Sequence, residues 1–195
     1  MNAAFFTSEA DAPAKQRILV EALSLFTRKG LCETSIRDIA MATGYTNPAL
    51  YKHFSSKDEL ALALFIACYT ELVRRLEHAL EHTFDDFSAM LDAFVGAYLG
   101  LLDEHPAAIV YVQEHLQRFW PEVPTRLKRR TVPALVRRLA RAATPQPGGP
   151  AEDARVVAAS GALTQLARMR YLDGIAGPAA RWHDDIVALL ERLLR

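Results

Sequence analysis

The 195-residue chain reads as an all-α protein, a unit of three small helices followed by five or six longer ones. Three observations carry that reading. No window alternates apolar and polar residues between turn signals, as a half-buried strand would. Apolar residues instead recur with helical spacing almost from end to end. Proline and glycine stand where helices would start and stop.

The first helix follows Pro13, carries Ile18, Ala22, Leu25 and Phe26 on one face, and ends at Gly30. Ile36, Ile39 and Ala40 mark a short second helix, which Gly44 interrupts, and Leu50 and Phe54 mark a third. Ser56 followed by Glu59 has the form of a capping box, so a long helix is expected there, running through Leu60, Leu64, Cys68, Leu72 and Leu76. Phe84, Phe87, Leu91, Phe94, Tyr98 and Leu102 form the next helical stripe. Pro106 restarts the chain, and Ile109, Val112, Leu116 and Phe119 form another. Pro121 and Pro124 punctuate again, and Pro133 must kink or restart the basic helix that follows. Beyond the loop-like segment Pro145–Pro150, two helices are expected, about Ala151–Leu172 and Pro178–Leu194.

Composition bounds the function. Lys and Arg number 23 and Asp and Glu number 23, and hydrophobic residues make up 51%, the profile of an ordinary globular protein. No stretch without a charge, Val156–Ala167 and the slightly longer Ile39–Tyr51 included, approaches the ~20 apolar residues of a membrane span, so no membrane partner is expected. The opening MNAAFFTSEADAP has neither a basic nor an apolar segment of an export signal. With Cys32 and Cys68 far apart, the chain is expected to be cytoplasmic with reduced thiols. Residues 1–60 hold seven basic groups (Lys15, Arg17, Arg28, Lys29, Arg37, Lys52, Lys57) against seven acidic ones, and the remainder balances too. Any nucleic-acid binding must therefore rest on a few placed residues, with a weaker salt dependence than a basic domain shows.

Residues 30–60, GLCETSIRDIAMATGYTNPALYKHFSSKDEL, supply such residues. Two short helices joined by a turn containing glycine are the elements of a helix-turn-helix. Thr34 or Ser35 caps the first, and Ser35 with Asp38 forms a capping box. Ala40 is small where the helices cross, and Gly44 takes positive φ at the turn. Thr46 caps the second helix, and Pro48 fits its first turn. Burying Leu50 and Phe54 leaves Thr46, Asn47, Ala49, Tyr51, Lys52 and His53 outward, a set suited to a DNA groove. Asn pairs with adenine, an Ala methyl meets the thymine methyl, and Thr, Tyr and Lys reach phosphates. Ser35 and Arg37 lie on the same side, and Lys57 in the first turn of the long helix is placed to hold a phosphate. The same residues also describe a structural three-helix unit with a solvated polar face.

The spaced string Thr34, Ser35, Ile36, Ile39, Ala40, Gly44, Thr46, Pro48, Leu50, Tyr51, His53, Phe54, Ser56, Lys57, Asp58 and Leu60 resembles the DNA-binding domain of the TetR family of bacterial transcriptional repressors. The resemblance covers Lys15–Leu60, and the rest of the chain agrees only in length and helical content. Thr43 and Tyr45 depart from the family's usual Ala and Val or Ile, at positions expected to face the small core. The resemblance implies a DNA-binding domain over 1–60 and a ligand-binding and dimerisation domain over 61–195. It also implies a homodimer formed through the last two helices, a pseudo-palindromic double-stranded operator, and a recognition helix, about Thr46–Phe54, in the major groove. A small-molecule inducer is implied as well; control by a partner protein, or by no ligand, is the alternative.

Candidate inducer contacts are Phe65, Tyr69, Phe94, Tyr98, Tyr111, His115, Phe119 and Tyr171, whose aromatic character favours a flat or lipophilic molecule; the bland reading makes them core. Residues 118–141 hold eight basic residues and one acid, Glu122, and are expected to pair with acids such as Asp85, Asp86 and Asp92; extra contacts to DNA, an anionic ligand or a partner protein are the alternatives. His78 and His82 stand at i, i+4 without the remaining ligands of a zinc site. No nucleophile elbow, P-loop or dinucleotide fingerprint occurs, so neither an enzyme nor a cofactor is expected.

Overall fold

The computed structural model describes residues 12–144, 148–172, 174 and 176–195. Ten α-helices and no strand occur among them: α1 (Pro13–Lys29), α2 (Ile36–Thr43), α3 (Asn47–Tyr51), α4 (Lys57–Ala79), α5 (Phe87–Glu104), α6 (Pro106–Phe119), α7 (Thr125–Lys128), α8 (Val132–Ala143), α9 (Pro150–Tyr171) and α10 (His183–Leu194). No helix of the described residues is long and apolar enough to cross a membrane. The residues Pro145–Pro147 of the expected linker lie outside the described residues.

The chain forms two compact units that do not follow chain order. Among the described residues, one comprises those up to Glu71 together with Ala107–Val123; the other comprises those of Leu72–Pro106 and Pro124–Arg195. The units part after Glu71 within α4, and α6 groups with the N-terminal helices. The reason is chemical: Tyr111 of α6, fully buried, stacks on Phe26 of α1 and donates its hydroxyl to the Ala61 carbonyl of α4.

In the first unit, α1 begins with Pro13 in its first turn and ends with Arg28 and Lys29, charges that suit the helix dipole. Its buried face, Ile18, Leu19, Ala22, Leu23, Leu25 and Phe26, contains all the residues anticipated for it. Buried side chains from α2 (Ile39, Ala40), α3 (Leu50) and α4 (Leu60, Ala61, Leu64, Phe65) complete this core. The capping box expected at Ser56 is shifted. Ser56 does accept the Glu59 amide proton at 3.0 Å, but the Glu59 carboxylate turns to the backbone N–H and hydroxyl of Ser55.

In the second unit, α8 packs on α9, and α10 packs on α9 and α5. Phe84 lies before α5, because Asp86 caps that helix by accepting the Ala89 N–H at 2.9 Å. Pro133 sits in the first turn of α8 behind the Thr131 cap, so it starts the helix rather than kinking it. Residues 178–182 do not extend α10 backward; Ala179–Trp182 is a 3-10 turn whose first N–H groups meet the Asp103 carboxylate.

The basic stretch pairs, but with other acids than anticipated. Within the second unit, Arg130 pairs with Glu77, Arg137 with Glu152 (2.9 Å) and Asp153 (2.6 Å), and Arg141 with Glu152 (3.3 Å), while Arg138 donates to the Leu80 carbonyl. Within the first, Arg118 pairs with Asp58 at 2.9 Å. Two of the acids anticipated are engaged elsewhere, Asp86 as a cap and Asp92 beside His183.

Candidate nucleic-acid interface

The helix-turn-helix is built by local hydrogen bonds that its sequence dictates. Ser35 caps α2: its hydroxyl oxygen accepts the Asp38 N–H at 3.1 Å, and the Asp38 carboxylate accepts the Ser35 N–H at 2.8 Å. The Ser35 hydroxyl, which donates to the same carboxylate at 2.7 Å, and then the Ser35 N–H hold the Asp38 carboxyl well below its ordinary range, down to about 2, with Lys29 at 3.4 Å adding to the effect. Thr34 is buried and does not cap; its hydroxyl donates to the Gly30 carbonyl at 2.8 Å. Thr43 is tolerated in the core because its hydroxyl donates to the Ile39 carbonyl at 2.9 Å. Tyr45, expected in the core, is only half-buried.

Gly44 closes α2 in the left-handed conformation, φ 74° and ψ 17°, and turns the chain toward α3. Thr46 then caps α3, accepting the Ala49 N–H at 3.4 Å, with Pro48 in the first turn. The helical span is Asn47–Tyr51, shorter than the Thr46–Phe54 expected, because Lys52 and His53 form a closing turn. Leu50 and Phe54 are buried as the pattern required. Thr46, Asn47, Tyr51 and Lys52 are exposed, whereas Ala49 and His53 are half-buried. Arg37 is exposed on α2, and Ser35 with it.

Met41 was missed in the sequence reading. It is 74% exposed, and its position four residues after Arg37 puts both on one side of α2. That i, i+4 spacing was the available signal.

Lys57, whose ammonium the sequence places toward a phosphate, has its Nζ donating to the carbonyl oxygens of Leu31 (2.9 Å), Thr34 (2.9 Å) and Cys32 (3.2 Å). Beside it, Asp58 is paired with Arg118, so this acid in the first turn of α4 has a counter-charge of its own.

The eight aromatic candidates for ligand contact divide between the units. Phe65, Tyr69, Tyr111, His115 and Phe119 lie in the first and form a continuous run of rings: Tyr111 meets His115 at 4.6 Å, His115 meets Phe119, Phe119 meets Phe65, and Phe65 stacks on Tyr69. Phe26 and Trp120 extend the run at its two ends, which sequence spacing did not reveal because they come from different elements. His115 is half-buried, and burial lowers its pKa, so it is neutral at pH 7. Phe94, Tyr98 and Tyr171 belong to the second unit, where the Tyr98 hydroxyl donates to the Leu163 carbonyl at 2.7 Å. Among the described residues no group of three metal-ligating side chains occurs; His78 faces Glu81, with the His82 ring at 6.0 Å.

Residues 18–64 match the tetR family of bacterial regulatory proteins. The transcriptional repressor KstR2 of Mycobacterium tuberculosis is 29% identical over 101 residues, 52% of this chain and 50% of that one, so the match spans about half the length of this curated relative. Among solved structures, the ketosteroid transcriptional regulator KstR2 of Mycobacterium tuberculosis superposes with a TM-score of 0.77 at 20% identity, over 93% of this chain and 95% of its own. The transcriptional regulator FadR of Bacillus subtilis, in complex with stearoyl-CoA, gives 0.70 at 12% identity over 89% and 96%. At these identities the likeness establishes the fold.

Proposed function

Because the chain belongs to the TetR family of bacterial regulatory proteins, we propose that it is a cytoplasmic transcriptional repressor, binding a pseudo-palindromic operator as a homodimer and released by a small molecule. The observation that carries this reading is the division of α3: Leu50 anchors it inward while Asn47, Tyr51 and Lys52 stand exposed beside Arg37 and Met41 of α2. Asn47 is the candidate base reader, and Thr46, Tyr51 and Lys52 are the candidate phosphate contacts. Residues 1–60 thus carry recognition, and 61–195 carry dimerisation and sensing.

Dimerisation is assigned to α9 and α10. On α9 the face away from Val156, Ala159 and Leu163 carries exposed Val157, Ala158 and Gly161, and α10 leaves Leu189 exposed between half-buried Ile186 and Leu193. Apolar residues on both sides of a helix suit burial on both sides, and two such helices from each copy make a four-helix interface.

The inducer is proposed to be lipophilic. Its contacts are assigned to the rings of the first unit, Phe65, Tyr69, His115 and Phe119, with His115 orienting it; one similar solved structure is a ketosteroid transcriptional regulator and another holds stearoyl-CoA, molecules of that kind.

Selection of duplexes from a random pool by the full-length protein tests the reading. A two-fold symmetric consensus bound by a dimer, with binding relieved by a steroid or acyl-CoA panel, is expected. Failure to enrich any sequence would remove the DNA-reading function, and enrichment insensitive to the whole panel would remove the lipophilic inducer.

A further inference from the structure

We propose that His183 is a positioning residue for dimerisation, acting as an imidazolium that fastens the start of α10 to α5, so that the dimer strengthens when the ring takes up a proton, an inference that rests on the assignment of dimerisation to α9 and α10 above. The approach to α10 is held from α5. Asp103 accepts the N–H groups of Ala179 (2.6 Å) and Ala180 (3.1 Å), capping the 3-10 turn that has no side-chain cap of its own. Two and three turns earlier on the same face of α5 stand Gly96 and Asp92. The ring of His183, the first residue of α10, lies against α5 there: a Cβ on Gly96 would stand 3.7 Å from its Nε2.

That nitrogen faces the Asp92 carbonyl oxygen at 3.4 Å and the Asp92 carboxylate at 3.6 Å, while Nδ1 faces the Asp184 carboxylate at 3.2 Å. Both ring nitrogens thus face oxygen acceptors. A neutral imidazole carries one N–H, so in either tautomer one nitrogen sets its lone pair against an oxygen; imidazolium donates at both. The N-terminal end of α10 opposes a positive charge, and Asp184 with Asp185 in the first turn offsets it. Arg181, in the turn before, is directed to the Ala176 carbonyl and the Trp182 ring. Polar contacts from α8 and α9 reach α10 at its far end, where Thr144 meets the Leu194 carbonyl and Arg155 meets those of Leu194 and Arg195. Bonding to Asp184 raises the His183 pKa above its ordinary 6.5, with Asp92 adding to the effect.

The ring sits where a change of charge is passed on. Ile186, Leu189 and Leu193 follow three, six and ten residues later on the same short helix, so the direction fixed at His183 sets where this apolar row stands. Since the folded value is the raised one, the fastening is complete below 6.5 and is lost as pH rises through the raised value.

Sedimentation of the full-length protein gives the dimer constant of wild type and His183→Gln from about pH 5.5 to about pH 8.5. At the acid end wild type should dimerise more tightly than His183→Gln by about threefold for each copy, the scale of an exposed ion pair. The two should converge at the alkaline end. A ratio that does not vary with pH would leave the ring a purely structural role and overturn the inference. NMR titration reads the ring itself: its midpoint should lie above 6.5 in wild type and fall in Asp92→Asn. A wild-type midpoint at or below 6.5 would overturn the fastening. A chain monomeric over the whole range would remove the dimerisation assignment and the task of His183 with it, and the titration midpoint then separates that failure from a failure of the fastening.

Discussion

The hydroxyl of Tyr111 donates to the carbonyl oxygen of Ala61 at 3.0 Å, fastening α6 to α4 within the unit that also holds the helix-turn-helix. The ring stacks on Phe26 of α1, with centroids 6.0 Å apart, so one side chain joins three helices. Burial raises the Tyr111 pKa, which keeps the phenol a donor at any working pH. Tyr111→Phe keeps the ring and removes the bond, and a loss of about 1 kcal/mol is expected in urea unfolding. Tyr111→Ala also empties the space and should cost ~3–5 kcal/mol. Equal losses for the two would show that the ring contributes nothing beyond the hydroxyl.

Gly44 gives a cleaner case, because no atom lies within 4 Å of where a Cβ would stand. The cost of Gly44→Ala is then conformational, ~1–2 kcal/mol for holding a left-handed backbone at φ 74°. Gly44→Asn should cost less, since Asn visits that region more readily. If Ala and Asn destabilise equally in thermal unfolding, the turn is not held left-handed.

Asp38 makes stability depend on pH in a known direction. Its folded pKa, about 2, lies below the ordinary 3.8, so the unfolded chain takes up the proton first. The carboxylate's contribution is complete above the ordinary value and is lost as pH falls through the folded one. The melting temperature of wild type should therefore exceed that of Asp38→Ala at about pH 6, and the gap should close toward about pH 2. A gap that stays constant over that window would mean that the charge of Asp38 plays no part in the cap.

The elements were legible in the sequence where the signal is local. Pro13, Gly30, Ser35 with Asp38, Gly44 and Thr46 each mark a boundary that the structure places at or beside that residue. Less was legible where partners are distant in sequence. Lys57 carries a charge suited to phosphate, and nothing within a few residues of it reveals carbonyls 23 to 26 positions earlier. The acids facing Arg130 and Arg137 belong to α4 and α9, a choice made by packing and not by charge pattern. The grouping of α6 with the N-terminal helices depends on Tyr111 reaching Ala61, 50 residues away, which no periodicity encodes. Glu59 missed by one residue: a carboxylate of that reach meets Ser55 as readily as Ser56.

On the proposed reading, the exposed residues of α3 should separate by kind. Asn47 has the geometry to pair with an adenine edge, a contact worth ~1–3 kcal/mol of discrimination. Asn47→Ala should relax preference at one base pair in each half-site and leave the salt slope alone. Lys52 is exposed beyond the end of the helix and placed for a phosphate. Lys52→Met should weaken operator and scrambled DNA alike and reduce the slope by ~0.9 per subunit. Tyr51, 51% exposed, should behave as Lys52 does in affinity, but with an unchanged slope, because a phenol carries no charge. Because residues 1–60 balance seven basic groups against seven acidic ones, Lys52 should account for a large share of a shallow total slope. A slope demanding ten or more ion contacts per dimer, or a Lys52→Met variant with the wild-type slope, would place the DNA-facing charge elsewhere on the chain.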